Sequence, residues 1–263
     1  MKVGLLFPGE MGTEIGRAVR ADVLWASEGR SEATRRRASK AGFEDAGMLD
    51  ALVAASEIVL SVCPPAIAEE VAGQVAELGF GGVYVDANAV APARMARIAE
   101  ALTASGVRVV DGSIIGAKGI HLYLSGETSD VERVAGLFSG DAVQAMPLPG
   151  GIGAASALKM AFGGWNKIGI ALAAQAHAVA RAYGVEEALA AEGVSPDRLV
   201  GAGARAWRWS PEMEEVADTC AELGLPEEIA RGAAELYARW AAHRDTEVEL
   251  PRLLDDLRGK PDS

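Results

Sequence analysis

MKVGLLFPGEMG, residues 1–12, is the stretch that decides the fold: the apolar run Val3–Phe7 breaks at Pro8-Gly9-Glu10-Met11-Gly12 and continues into a helix-compatible stretch. A strand, a tight turn and a helix start in that order predict a dinucleotide cofactor. Glycine lets the backbone approach a ligand closely, and the first-turn N–H groups with the positive end of the helix macrodipole attract a pyrophosphate. The usual fingerprint G-x-G-x-x-G reads F-x-G-x-x-G here, with Phe7 in the first glycine position and Gly9 and Gly12 in the others. The expected cofactor contacts at this turn are Phe7, Pro8, Gly9, Glu10, Met11 and Gly12.

Outward from the turn, short β-rich runs alternate with helical stretches as far as residue 125. Lys2–Phe7, Val23–Ala26, Ile58–Val62, Gly82–Asp86, Val107–Asp111 and His121–Ser125 read as strands. Such alternation implies right-handed crossovers, a mostly parallel sheet and ligands beyond the carboxyl ends of the strands. The fold class is α/β, a Rossmann-type doubly wound parallel sheet followed by an all-helical C-terminal domain. The Pro- and Gly-punctuated segment Met146–Gly153 places the boundary, giving a nucleotide-binding domain over 1–150 and a helical substrate and dimerisation domain over 151–263. Ala154–Gly184 reads as one helix of roughly 45 Å at 1.5 Å per residue. It is so apolar that about 80 further residues are too few to cover it, which predicts a homodimer. Ser195–Trp207, Pro211–Leu223 and Pro226–His243 show helical spacing, and Leu250–Leu257 a last short helix.

The 263 residues carry a formal net charge of −12, which argues against nucleic acid or an anionic membrane as partner. Cys63 and Cys220 are too few for a disulfide framework and fit a reducing compartment. Residues 1–6 lack a signal peptide's charged and apolar regions, so the expected location is the cytoplasm. His121 and His243 have no flanking Cys, His or carboxylate pattern, and no metal site is expected; His177 reads as a core or interface residue.

Four places carry candidate chemistry. After the second strand, Arg30 and Ser31, with Arg35 close behind, suit the extra phosphate of NADP, while Glu28 could instead serve the ribose hydroxyls of NAD. The strand Ile58–Val62 ends at Val62-Cys63-Pro64, which borders the cofactor, with Cys63 a lining residue rather than a nucleophile. Asn88, after the next strand, suits the nicotinamide ribose or a substrate, or else a turn or N-cap role. Lys159 is the only charge between Asp141 and Lys167. A lysine in so apolar a helix can act as a general acid or base, or pack its stem and send its head to solvent, and spacing alone does not separate the two. Glu212, Glu214 and Glu215, near Trp207 and Trp209, could edge the site but read rather as the solvated face of a helix.

In this order the landmarks resemble the β-hydroxyacid dehydrogenase family, which includes 3-hydroxyisobutyrate and 6-phosphogluconate dehydrogenases. The family opening G-x-I-G-x-G-x-M-G is followed from Gly4 to Gly12 except at Phe7, its N-R-T is similar to Gly29-Arg30-Ser31, and its D-x-S-T-x-S-P to Asp86–Pro92. Its substrate motif D-A-P-V-S-G-G resembles Asp111–Ala117, and its G-x-G-x-x-x-K-x-x-x-N resembles the stretch around Gly153 and Lys159. The resemblance implies hydride transfer between NADP, or NAD, and a small hydroxy acid or its carbonyl, with Lys159 as proton donor or acceptor. It implies substrate contacts at Ser113, Gly116, Ala117, Gly163 and Asn166. The chain departs from the family at Gly163, where Asn is usual, and at Ile115, where Ser is usual. The shorter C-terminal part looks like a subgroup with a helical domain of unknown function. Reduction of a C=N bond, as in related imine reductases that lack this lysine, and a non-catalytic NADP-binding sensor are the alternatives.

Overall fold

The computed structural model describes residues 1–116, 119–140 and 142–258. They fall into two compact units, Met1–Lys159 and Met160–Ser263.

The first unit begins with β1 (Lys2–Leu6), α1 (Glu10–Ala18), β2 (Asp22–Trp25), α2 (Glu32–Ala41), β3 (Glu44–Asp45), α3 (Leu49–Ala55) and β4 (Ile58–Ser61). It continues through α4 (Ala68–Glu77), β5 (Val83–Asp86), α5 (Pro92–Ala104), β6 (Arg108–Ile115), β7 (Ile120–Gly126), α6 (Thr128–Ala135) and β8 (Val143–Pro147). The strands form an eight-stranded sheet in the order β3-β2-β1-β4-β5-β6-β7-β8, parallel except for the β6–β7 pair. Both faces of a parallel sheet are covered, so its strands can be apolar throughout. Val3, Leu5, Ile58, Leu60, Val83 and Val85 pack into one core, and Leu6, Val59 and Tyr84 into the other. The chain order reverses between β1 and β4, and a crevice opens beyond their carboxyl ends at such a point. Phe7 follows one of these strands and Val62 the other.

Three details differ from the sequence reading. β3 and β8 were not expected: β3 is a two-residue edge pairing, and β8 holds Met146 and Pro147, where the turn signal of the following Pro-Gly segment masks the strand. A proline is tolerated there because β8 is the sheet edge. β6 runs four residues past Asp111, because the antiparallel return of β7 pairs Gly112 through Ile115 with Leu124 through His121.

Helix α7 (Ala154–Tyr183) begins in the first unit and continues into the second, which adds α8 (Glu186–Ala191), α9 (Ala202–Glu222), α10 (Glu228–Arg239) and α11 (Leu250–Asp255). The two helical segments expected on either side of Pro211 are one helix, α9, with the proline inside it. Proline removes one intrahelical bond, but burial of Ala206 on one side and Met213, Val216 and Ala217 on the other holds both halves in line. Residues Pro196–Leu199 form a separate 3-10 turn, and α10 ends at Arg239, with a second such turn at Ala241–His243. No described helix is long and apolar enough to cross a membrane.

Candidate active site

The turn after β1 is built from an unusual backbone. Phe7 has φ +63°, the left-handed region that costs a non-glycine residue about 1–2 kcal/mol. Its carbonyl accepts the Gly9 N–H at 2.7 Å, and α1 starts at once with no side chain capping its N-terminus. A Cβ on Gly12 would lie 2.6 Å from the Phe7 carbonyl oxygen, so glycine is required for α1 to close against the turn. A Cβ on Gly9 would meet nothing nearer than 4.0 Å. Open backbone therefore lies over the first turn of α1, whose N–H groups have no intrahelical acceptor. This surface fits a diphosphate. Pro8 is buried and its carbonyl accepts from Arg37 at 3.2 Å, while the Glu10 side chain is exposed and Met11 half-buried.

The end of β2 brings Arg30 across the same turn. Its guanidinium lies 3.7 Å from the centroid of the Phe7 ring. Burial lowers the Arg30 pKa, and its Nε is buried with no hydrogen-bond partner among the described residues. A cavity of about 150 Å³ opens beside it, lined in part by Leu5, Leu6, Phe7, Ala26, Glu28 and Arg30. Ser31 is the N-cap of α2, its Oγ accepting from the Thr34 N–H at 3.3 Å. Asp and Glu dominate the chain, yet neither Arg30 nor Arg35 has a carboxylate within ion-pair distance among the described residues, whereas Arg36 pairs with Glu32.

Beyond β4 and β5 lies a buried polar chain. Asn88 Oδ1 accepts the Cys63 N–H at 2.6 Å and its Nδ2 donates to Ser61 Oγ at 3.2 Å, so both ends of the amide are engaged inside the protein. That is the turn-holding reading of Asn88, and it shapes the segment Val62-Cys63-Pro64. Burial pushes the Cys63 thiol up to about 12, so it is an inert lining group. Asp86 accepts the Asn88 N–H at 3.1 Å through Oδ1, while Oδ2 is buried with no partner among the described residues. Burial, assisted by nearby Asp111, raises Asp86 to about 7.

Asp111 anchors the start of α7. Its Oδ2 accepts from the Gly153 and Ser156 N–H groups at 2.9 and 3.0 Å and from Ser125 Oγ at 3.2 Å, and its Oδ1 from Ser156 Oγ at 2.7 Å. Ser125 Oγ accepts the Ala155 N–H in turn. A carboxylate thus caps the positive end of a 30-residue helix. From that clamped start, Lys159 Nζ donates to the Ile114 carbonyl at 2.7 Å, which joins the lysine to the end of β6. Ser113 is fully buried within β6, its Oγ without a partner among the described residues, and Gly116 is exposed just beyond. Ala117 lies outside the described residues. The first unit therefore gathers the glycine turn, Arg30, Asn88 and Lys159 around the strand ends.

Residues 180–240 match the model of a Domain of unknown function (DUF1932). Among solved structures, the chain is similar to 3-hydroxyisobutyrate dehydrogenase from Mycobacterium tuberculosis with L-serine, at 15% identity over 98% of this chain and 99% of that one, TM-score 0.75. It is also similar to the conserved protein MTH1747 of unknown function, itself described as structurally similar to 3-hydroxyacid dehydrogenases, at 22% identity over 92% of this chain and 98% of that one, TM-score 0.69. A reductive aminase from Aspergillus terreus, in complex with NADPH and ethyl levulinate, matches at 19% identity over 98% of this chain and 99% of that one, TM-score 0.55. The chain has the β-hydroxyacid dehydrogenase fold. No curated protein matches it in sequence.

Within the helical unit of this β-hydroxyacid dehydrogenase fold, Glu212 and Glu215 are buried rather than solvated, and only Glu214 is exposed, paired with Arg231. Glu212 is held in place by Lys167, 2.6 Å away, and Tyr237 donates to the Lys167 carbonyl at 2.6 Å. A Cβ on Gly163 would lie 2.9 Å from Glu212 Oε1, so the carboxylate stands where an asparagine side chain would begin. Asn166 is half-buried, its carbonyl accepting from Arg198 at 3.3 Å. His177 is buried, in keeping with a core position. The sequence reading missed the Asp111 clamp, the Ser61–Asn88–Cys63 chain and the Lys167–Glu212 pair. A lone acid ending an apolar strand ahead of a glycine-rich helix start was the available signal for Asp111, while nothing local pairs residues 45 apart.

Proposed function

We propose that the chain is a nicotinamide-dependent oxidoreductase, with NADP favoured over NAD, that interconverts a small hydroxy acid and its carbonyl. The observation that carries this reading is Lys159, held on the Ile114 carbonyl by a carboxylate-capped helix, in the same unit as the open glycine turn. Phe7 through Gly12 would hold the diphosphate, Arg30 and Ser31 the adenosine phosphate, and the Val62–Pro64 segment braced by Asn88 the nicotinamide side. The cofactor when bound supplies or accepts hydride. Lys159 gives a proton to the carbonyl oxygen in reduction and takes the hydroxyl proton in oxidation. The Ile114 carbonyl fixes the position of the ammonium at the end of β6. Ser113 and Gly116 on one segment, and Gly163 and Asn166 on the helix, are the expected substrate contacts.

We place the enzyme in the cytoplasm as a homodimer through its helical part, with no nucleic acid or membrane partner. What supports the dimer is an apolar groove of about 650 Å³ along α7 and α10, bordered by Leu172, Val179, Tyr183 and Ile229, each more than half exposed.

The test is NADPH and NADH binding by fluorescence, followed by oxidation of a hydroxy-acid panel and reduction of aldehydes and imines. The Lys159→Met variant should bind cofactor as the parent does and lose about 10²–10⁴-fold in turnover on the responding substrate. Full turnover by that variant would reject the role of Lys159. Turnover on imines alone would move the chain to C=N reduction, and tight NADPH binding with no turnover on any class would make it a sensor.

A further inference from the structure

Phe7 stands where the fingerprint has glycine, and the structure keeps it there in the left-handed conformation that glycine adopts without strain. A side chain at such a place has to be held by its surroundings. Here the ring packs on one side against the core that holds Leu6 and Val59 and carries the Arg30 guanidinium 3.7 Å from its centroid. Because Nε of Arg30 is buried with no partner among the described residues, the ring face is its principal support from this side.

Arg30 is also an unusual cation. The chain has 37 acidic against 25 basic side chains, so an arginine is expected to find a carboxylate nearby. None lies within ion-pair distance of Arg30 among the described residues, and the Arg30 carbonyl is in turn bound by Arg35 Nε at 3.3 Å. A half-buried guanidinium over a ring face, short of a counter-ion and beside an open helix N-terminus, is arranged for an anionic group on a planar ring system. The cavity of about 150 Å³ next to it, with Leu5 and Leu6 of β1 on one side and Glu28 and Gln74 among its polar lining, provides a place for such a ring and its ribose.

Resting on the NADP reading above, we propose that Phe7 is a cofactor-selectivity residue: its ring is the platform that orients Arg30, so that the guanidinium meets the 2′-phosphate of the adenosine half. Glycine at this position, as in the usual fingerprint, would leave Arg30 free to turn to solvent. The aromatic ring thereby does for Arg30 what a carboxylate does elsewhere, without neutralising the charge needed for the phosphate. Phe7 is thus a positioning residue, acting through Arg30.

The experiment measures dissociation constants of NADPH, NADH, 2′,5′-ADP and 5′-ADP by calorimetry for the full chain, Phe7→Gly, Phe7→Tyr, Arg30→Ala and the Phe7→Gly/Arg30→Ala double variant. Thermal unfolding of each variant accompanies the measurement. The parent should favour NADPH over NADH and 2′,5′-ADP over 5′-ADP. Phe7→Gly should lower both ratios about tenfold, as Arg30→Ala does, with the double variant no lower than either single one, and Phe7→Tyr should restore them. A merely structural role would weaken all four ligands together and leave the ratios unmoved, which would overturn the proposal. So would a Phe7→Gly variant that binds all four more tightly, since the ring would then be an obstruction. If the parent itself shows no preference for the 2′-phosphate, both this inference and the NADP reading fail; a preference that survives Phe7→Gly sinks the inference alone.

Discussion

Asp111 offers the sharpest test of how the candidate site is built. Replacing it with alanine removes the acceptor for two backbone N–H groups, Gly153 and Ser156, and for the hydroxyls of Ser125 and Ser156. The hydroxyls can rotate towards other acceptors, but the two N–H groups are fixed at a buried helix start. Each costs about 1–3 kcal/mol when left without an acceptor, and loss of the charge at the helix N-terminus adds up to about 2 kcal/mol. Against this stands the desolvation of the carboxylate, which raises the Asp111 pKa above its ordinary value and is recovered on removal. The net expectation for Asp111→Ala is a loss of about 3–4 kcal/mol. Asparagine behaves differently. Its oxygen can take the Oδ2 place and keep both N–H groups, while its amide donates to Ser156 Oγ, so Asp111→Asn should stay within about 1 kcal/mol of the parent. Urea unfolding followed by circular dichroism at pH 7 measures both. Turnover should fall in Asp111→Ala by more than its folded fraction explains, because Lys159 stands only one turn further along the helix it loosens. An alanine variant within 1 kcal/mol of the parent would show that the carboxylate does not hold the helix, and an asparagine variant as damaged as the alanine one would show that the charge rather than the hydrogen bonds holds it.

Two further outcomes follow from the same unit. Asp86 binds its proton more tightly folded than unfolded, at about 7 against an ordinary 3.8, so its contribution to stability is complete below about pH 4 and is lost as pH rises through 7. Relative to Asp86→Asn, the parent should therefore lose on the order of 2–3 kcal/mol between pH 5 and pH 8, read from unfolding midpoints across that range; parallel profiles for the two proteins would contradict it. At the glycine turn, Gly9→Ala should leave the melting temperature unchanged and weaken NADPH binding tenfold or more, because its Cβ clears the protein but stands where the diphosphate approaches. Gly12→Ala should damage both, losing about 1–3 kcal/mol of stability against the Phe7 carbonyl, and equal effects of the two substitutions in calorimetry and thermal unfolding would argue against the cradle.

The strands of the first unit and the long helix were legible because each is written in local terms. Val3–Leu6, Ile58–Ser61 and Val83–Asp86 are apolar runs of strand length, and α7 ends within one residue of the expected Gly184. What escaped is what depends on distant partners. β8 is a strand because β7 pairs with it, and β6 extends to Ile115 because β7 turns back along it. Glu212 looked solvated because its neighbours Glu214 and Glu215 set a polar context, whereas its burial is decided by Lys167 on another helix. The same distinction runs through the site. The glycines at 9 and 12 announce the turn, but the half-buried cation on Phe7 and the engagement of both ends of Asn88 are visible only in three dimensions.

Charge accounting then gives the site its direction. In a chain of net charge −12, the folded protein has carboxylates to spare, and Arg17, Arg36, Arg97, Arg108 and Arg133 each find one. Arg30 has an acid in its neighbourhood, Glu28 lining the same cavity, yet no carboxylate within ion-pair distance among the described residues. Arg30 lies over the Phe7 ring, next to the N-terminus of α1, where the positive end of the macrodipole adds to the same field. Burial already disfavours the charged form of Arg30 in the unliganded protein. An anion bound there supplies the missing counter-charge and favours the charged guanidinium. Binding strength at this end should for that reason depend more steeply on ionic strength for a ligand with the 2′-phosphate than for one without it, because each added phosphate charge multiplies the interaction with the whole cluster.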